Sequence, residues 1–192
     1  MPEGEPPIPG THGERDPDSR PSPDRGEVSA SVPPARIDRF GGEYRFLSNF
    51  YPCRVIDEGG REHPTVEHAY QCSKATTDED RERIAAAKHP SKAKRFGQRL
   101  TPDATWAERK DEVMRRLLVQ KFAPGTEFAA RLTATSPAEL VEGNVWGDTY
   151  WGVCNGVGEN RLGRMLMEIR SALVHAIDTT PNGAPSHNST RV

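Results

Sequence analysis

The sequence predicts a mainly α-helical domain with a small β-rich part near its N-terminal end, on three observations. Five stretches read as helices from apolar spacing and end signals. Only the segment from Ile37 to Ile56, rich in Phe and Tyr and broken by Gly41, Gly42 and Pro52, has the look of short strands and a shaped loop. Both ends of the chain are too polar to contribute a core, and 192 residues are enough for one domain but not for two large ones.

Residues 1–35 hold nine of the 17 prolines, no aromatic residue and only scattered Ile and Val. Such a stretch cannot bury enough apolar surface to offset the cost of ordering it, so a disordered acidic tail is expected there. Its net charge of −4, set against −2 for the whole chain, leaves about +2 on the remainder. That small excess suits a phosphorylated small molecule and is no nucleic-acid footprint. Residues 179–192 read as a second disordered tail, which places the folded domain at 36–178. The opening Met-Pro-Glu-Gly-Glu has neither a basic nor an apolar leader region, and no later stretch approaches the length of a membrane span, so a cytoplasmic protein with no membrane role is expected.

Within the domain, Thr65 can cap a helix running to Ala75, with Val66, Ala69, Tyr70 and Ser73 facing the core and the opposite stripe left for function. A second helix is expected from Asp78 to Lys88, stopping near Pro90, and one or two turns from Ser91 to Gly97. Thr105 and Glu108 suggest a capping box, opening a helix to about Phe122, just before Pro124. The glycine-rich stretch from Gly143 to Gly158 fits neither period and reads as a long ordered loop. From Asn160, Leu162, Met165, Leu166, Ile169 and Leu173 mark an amphipathic helix ending near Asp178.

Glu67, Gln71 and Lys74 stand at i, i+4 and i+7, which puts a carboxylate, an amide and an ammonium on one stripe about 10 Å long. Spacing alone allows either one wall of a site or a solvated face with an ordinary charge series. In the loop, Trp146, Tyr150 and Trp151 sit among glycines, asparagines and Asp148, where they can stack a ligand or plug the core. Asn155, Gly156 and Gly158 precede the helix starting near Asn160, so several backbone N–H groups there can face a phosphate with the helix dipole behind them. No strand precedes them, which excludes a dinucleotide-binding fingerprint. His63, His68 and His89 lack metal-ligand spacing, and Cys53, Cys72 and Cys154 are an odd number without paired spacing. Reduced thiols, no metal and no cofactor are therefore expected. Neither a nucleophile elbow nor a Walker loop is present, which removes acyl hydrolases and nucleoside triphosphatases.

Three ordered blocks, FLSNFY at Phe46–Tyr51, TVEHAYQCSKA at Thr65–Ala75 and WGDTYWGVCNGVGENRLGRMLMEIR at Trp146–Arg170, resemble the NADAR family, and the likeness spans roughly Arg36 to Ile177. The resemblance implies a compact, mainly helical domain with N-glycosidase activity. Bacterial members of that family include enzymes that cleave phosphoribosylamino-pyrimidine intermediates of riboflavin synthesis, and others remove ADP-ribose from modified guanine. By motif match Glu67 falls on the family's catalytic glutamate, Lys74 on its lysine and Trp151 on its functionally important tryptophan. Ser48, Asn49, Asp148, Asn155 and Asn160 match the family's pocket positions, and Gln71, from the α-helical stripe, and Gly156, from the loop, join them as substrate-binding candidates. The chemistry agrees: breaking a ribosyl C–N bond builds positive charge on the sugar, which a nearby carboxylate stabilises. Lys74 would bind a phosphate or attack an opened sugar as an amine, and Trp151 would stack the departing base. Three readings stay open: hydrolysis of a riboflavin intermediate, removal of ADP-ribose from guanine in nucleic acid, and non-catalytic binding of NAD or ADP-ribose. Oligomeric state is not legible.

Overall fold

The structure is a computed structural model that describes residues 33–179; the expectations of disorder for the tails fall almost wholly outside these residues. Six helices dominate: α1 (Val66–Lys74), α2 (Asp78–Ala85), α3 (Pro90–Gly97), α4 (Trp106–Lys121), α5 (Glu127–Thr133) and α6 (Arg161–Asp178). Among the described residues extended structure is confined to three two-residue ladders. β1 (Arg36–Ile37) pairs in parallel with β4 (Glu139–Leu140), β2 (Val55–Ile56) antiparallel with β3 (Glu62–His63), and β5 (Gly143–Asn144) in parallel with β6 (Val153–Cys154). The fold is mainly α. None of the described helices is long and apolar enough to cross a membrane.

The expected short strands stand at the two ends of the Ile37–Ile56 segment, as β1 and β2, and a shaped loop fills the space between them. Gly42–Leu47 forms a 3-10 turn, and Phe46 and Leu47 are buried by packing on the helices, Phe46 edge-on to Phe122 with ring centres 6.4 Å apart. Aromatic residues gather there because the loop docks on the core, a cause that mimics strand composition without strand pairing.

Helix α1 begins where the sequence places it: the Thr65 hydroxyl accepts a hydrogen bond from the His68 backbone N–H. Its burial is wider than expected. Val66, Ala69 and Tyr70 face the core, but Glu67, His68, Gln71 and Cys72 are buried too, because α2 and α3 pack against the helix as well as α4. Ser73, expected in the core, is half-buried and donates to the Ala69 carbonyl. Helix α2 stops at Ala85, before the expected Lys88. At the start of α4 no capping box forms; the Asp103 carboxylate accepts the Thr105 N–H at 2.8 Å instead. Helix α5, seven residues with only Ala129 and Leu132 buried, is too short for its period to stand out in the sequence.

The main core lies between α1, α4, α5 and α6, with Leu117, Leu118, Phe122, Leu132, Leu140 and Leu166 almost fully excluded from water. Each such side chain contributes roughly 1.5–3 kcal/mol. A smaller cluster, Cys72, Ala75, Ile84, Ala87 and Ala93, seats α2 and α3 on the outer side of α1. The folded part starts slightly before residue 36, since the Ala35 carbonyl accepts the Glu139 N–H at 2.9 Å. A chain starting at Val32 is therefore expected to keep full turnover and an unchanged thermal midpoint. Loss of turnover in that chain while it remains folded, by circular dichroism, would make the removed residues part of the site.

Candidate active site

A cavity of about 140 Å³ opens beside α1. Its wall includes Ser48, Asn49, Glu67, Tyr70, Gln71, Lys94, Glu142, Asp148 and Trp151. Glu67, Tyr70 and Gln71 are on α1 and Lys94 on α3, while Ser48, Asn49, Glu142, Asp148 and Trp151 come from loops docked on the helices. The fold thus brings together six of the ten residues assigned to the site from the sequence, Ser48, Asn49, Glu67, Gln71, Asp148 and Trp151.

Glu67 is buried and accepts a hydrogen bond from the Gln71 side-chain amide at 2.8 Å, so the solvated-face reading of this stripe does not hold. Burial pushes its carboxyl above the ordinary range, while the Gln71 hydrogen bond and then Lys94 and Lys74 act in the opposite sense. Gln71 lies against α3 at Gly97, where an added Cβ would fall 1.8 Å from Gln71 Oε1, so a larger residue there would push the Gln71 amide out of its present position. Ser48 and Asn49 are held by Lys121, whose buried ammonium donates to the Ser48 carbonyl at 2.8 Å. Burial depresses that lysine to about 8.

The glycine-rich loop is built around Asn144. Its side-chain oxygen accepts the Trp146 and Asp148 N–H groups, and its side-chain nitrogen donates to the Asp148 carbonyl at 2.7 Å. Asp148 in turn accepts the Trp151 N–H through Oδ1 at 2.9 Å. Trp151 is wedged edge-on between Tyr70 and Tyr150, with ring centres 5.6 and 5.0 Å away, and is only partly exposed. Trp146 does not plug the core: it is 61% exposed, stands at the cavity rim and has the Lys94 ammonium 5.6 Å from its ring centre.

Four residues assigned to the site from the sequence do not line this cavity. Lys74 turns to the Gly97 carbonyl at 2.7 Å, where it ties α1 to α3. Asn155 and Gly156 are exposed and line a separate groove with Arg36, Asp38 and Arg39. Asn160, in the left-handed region at φ 50°, accepts the Glu142 N–H at 3.0 Å and donates to the Leu140 carbonyl at 2.9 Å, so it acts by fixing the segment between β4 and β5 that carries Glu142. The expected phosphate cradle before α6 is closed by the protein itself. The N–H groups of Glu159, Asn160, Arg161 and Leu162 are taken by the carbonyls of Thr149, Gly152, Tyr150 and Trp151. Lys94 is the cation that reaches the cavity; only the packing of α3 on α1 reveals it, since nothing in its sequence context marks it.

Glu142 also escaped sequence reasoning. Its Oε2 is buried without a hydrogen-bond partner. Burial, then the charge of Asp148, pushes its carboxyl up to about 7, against the opposing pull of Lys94 and Lys121. A carboxyl raised in the folded state stabilises the fold below its ordinary pKa, and that stability is lost as pH rises through about 7. At roughly 1.4 kcal/mol per pKa unit, a rise from 4.5 to about 7 makes the loss of the order of 3–4 kcal/mol. Glu142→Gln is accordingly expected to raise the thermal midpoint at pH 8 and to flatten the fall in stability between about pH 4.5 and 7, as read by calorimetry. An unchanged pH dependence would place the titrating burden elsewhere.

Away from the cavity, Asp57, His63 and Cys72 bring three potential metal donors within 4.8 Å of one another. Asp57 spends Oδ1 on the Gly59 and Arg61 N–H groups and Oδ2 on His63, while Arg61 and Arg81 place positive charge near Cys72. These are the features of a braced turn, and the neighbouring guanidinium groups oppose a cation. All three cysteines are free thiols.

A NADAR domain profile matches residues 38–174. The chain is 40% identical over 136 residues to N-glycosidase YbiA of Escherichia coli strain K12, covering 68% of this chain and 82% of that protein. It is 36% identical over 131 residues to riboflavin biosynthesis protein VVA0006 of Vibrio vulnificus, there covering 35% of the longer protein, and 32% identical over 143 residues to N-glycosidase Npun_R5314 of Nostoc punctiforme, covering 71% of this chain and 90% of that protein. The NMR structure of Escherichia coli YbiA superposes with a TM-score of 0.65 at 35% identity, over 79% of this chain and 90% of that one. With the buried Glu67–Gln71 pair, the braced Trp151 loop and a match over most of the folded residues, this chain belongs to the NADAR domain family.

Proposed function

We propose that this protein hydrolyses the C–N glycosidic bond of a phosphoribosylamino-pyrimidine intermediate of riboflavin biosynthesis. It is a hydrolase acting on N-glycosyl compounds, in common with relatives named N-glycosidase at about 40% identity. The substrate is the proposal. The observation that carries it is the buried Glu67 carboxyl in the wall of a small cavity, with Trp151 and Lys94 in the same wall.

At about 140 Å³ the cavity accommodates the sugar and the bond to be broken, leaving the ends of the substrate at the rim. As the C1′–N bond lengthens, positive charge grows on the sugar, and an ionised Glu67 held by Gln71 stabilises it without solvent reorganisation. The face of Trp151 stacks the pyrimidine. Lys94 at the rim meets the 5′-phosphate, a role the sequence had suggested for Lys74. The two lysines separate by experiment: Lys94→Met is expected to raise KM by about tenfold, the scale of one lost charge-assisted hydrogen bond. Lys74→Met should instead lower the thermal midpoint through the lost bond to Gly97, with kcat/KM changed less than about threefold. Equal effects of both on KM would return the phosphate to Lys74.

The experiment for the substrate is incubation of purified protein with a phosphoribosylamino-pyrimidine and, separately, with an ADP-ribosylated guanine oligonucleotide, followed by chromatography. Release of the pyrimidine from the first is expected. Release of ADP-ribose only from the second would replace the proposed substrate, and release from neither would leave a binding module.

A further inference from the structure

The Glu142 side chain is unusual for its surroundings. Its main chain is held on both sides: the N–H donates to Asn160 Oδ1, and the carbonyl accepts the Val153 N–H at 2.9 Å. Gly152 makes this close packing possible, since a Cβ there would meet the Glu142 carbonyl at 2.2 Å. So fixed, the side chain lines the same cavity as Glu67, yet Oε2 has no partner and is shut off from water. A buried polar atom without a hydrogen bond is costly, and a well-braced one in a cavity wall is explained by a ligand atom that completes it.

Resting on the N-glycosidase reading above, we propose that Glu142 is the general acid of the site and delivers a proton from its carboxyl to the departing nitrogen. The C1′–N bond breaks, its electron pair passes to nitrogen, and the Glu142 proton joins that pair to give the free amine. Water then adds to C1′, and the proton it loses returns to Glu142, so the enzyme is restored and one water is consumed. Two carboxyl groups of this kind divide the labour when their surroundings differ. Burial raises both carboxyls, but Glu67 accepts the Gln71 amide hydrogen, which favours its ionised form, whereas Glu142 Oε2 receives no donor and nothing of that kind opposes its protonated form. The charged groups acting on Glu142 are Glu67 on α1, Lys94 on α3, Lys121 on α4 and Asp148 on the loop. Burial outweighs the two lysines and holds the carboxyl up to about 7, close to a working pH, where a general acid is most effective.

The test compares two substrates of Glu142→Gln: a phosphoribosylamino-pyrimidine, whose nitrogen needs a proton to leave, and 4-nitrophenyl ribofuranoside 5-phosphate, whose phenolate does not. The expected loss in kcat is about a hundredfold on the first and less than about fivefold on the second. In the wild type kcat/KM on the first substrate should fall as pH rises above about 7, and in the variant this limb should vanish. Glu142→Asp, which keeps a proton to give, should retain the limb with a lower rate, and circular dichroism reports whether each variant is folded. Equal losses on both substrates, or a limb that survives in Glu142→Gln, would overturn the assignment, as would selective rescue of Glu67→Gln by the nitrophenyl substrate. Wild-type protein that cleaves neither substrate would instead remove the underlying N-glycosidase reading.

Discussion

Glu67→Gln is expected to lower kcat by at least about a hundredfold with little change in KM or in thermal midpoint. The substitution keeps the size of a side chain that is buried, and it keeps an acceptor oxygen for the Gln71 amide, so the packing of α1 against α3 has no reason to change. What it removes is a negative charge that matters only while the sugar is cationic. An interaction made in the transition state and not in the ground state appears in kcat and kcat/KM together, leaving substrate binding nearly intact. In a water-excluded wall such a charge contributes on the order of 3 kcal/mol, which is about a hundredfold in rate. Burial also raises the Glu67 carboxyl, so replacing it should remove a small loss of stability that develops as pH rises past the ordinary carboxylate range. Steady-state kinetics on a substrate the native protein cleaves decide the matter. Near-native kcat in the glutamine variant would reduce Glu67 to a packing residue.

Trp151→Ala is expected to behave differently, with KM raised about tenfold and kcat/KM lowered about a hundredfold. An aromatic platform holds the base before and during bond breaking, so its loss is felt in both constants. The same substitution empties the wedge between Tyr70 and Tyr150, whose ring centres lie 5.6 and 5.0 Å from that of Trp151. A lower thermal midpoint should accompany the kinetic loss, in contrast to Glu67→Gln. Trp151→Phe, which fills most of the space, should recover stability and part of KM. If Trp151→Ala loses stability but retains KM, the indole is a wall of the core and the base stacks elsewhere, with rim-exposed Trp146 the next aromatic to test.

The sequence by itself determined the helices whose apolar period is long, α4 and α6, together with the start of α1 at Thr65, because those depend on local spacing and capping. It also determined the family, and it pointed to Glu67, Gln71 and Trp151, which sit in contiguous blocks that a linear reading preserves and which the fold brings to one cavity. Tertiary structure decided what no spacing encodes. Lys74 and Lys94 are indistinguishable as surface lysines in a string, but α3 lies against α1 so that Gly97 captures the first while the second reaches the cavity. Asn155 and Gly156 looked like a phosphate loop, yet the carbonyls of residues 149–152 occupy the neighbouring N–H groups, a pairing that exists only once the loop has folded back. Glu142 follows two ordinary apolar residues and carries no local mark. Its significance comes from desolvation and from the charges of Glu67, Asp148, Lys94 and Lys121, which converge from four separate segments of the chain. Burial and electrostatics are properties of the assembled neighbourhood, so a residue whose role depends on them becomes legible only when the distant parts of the chain meet.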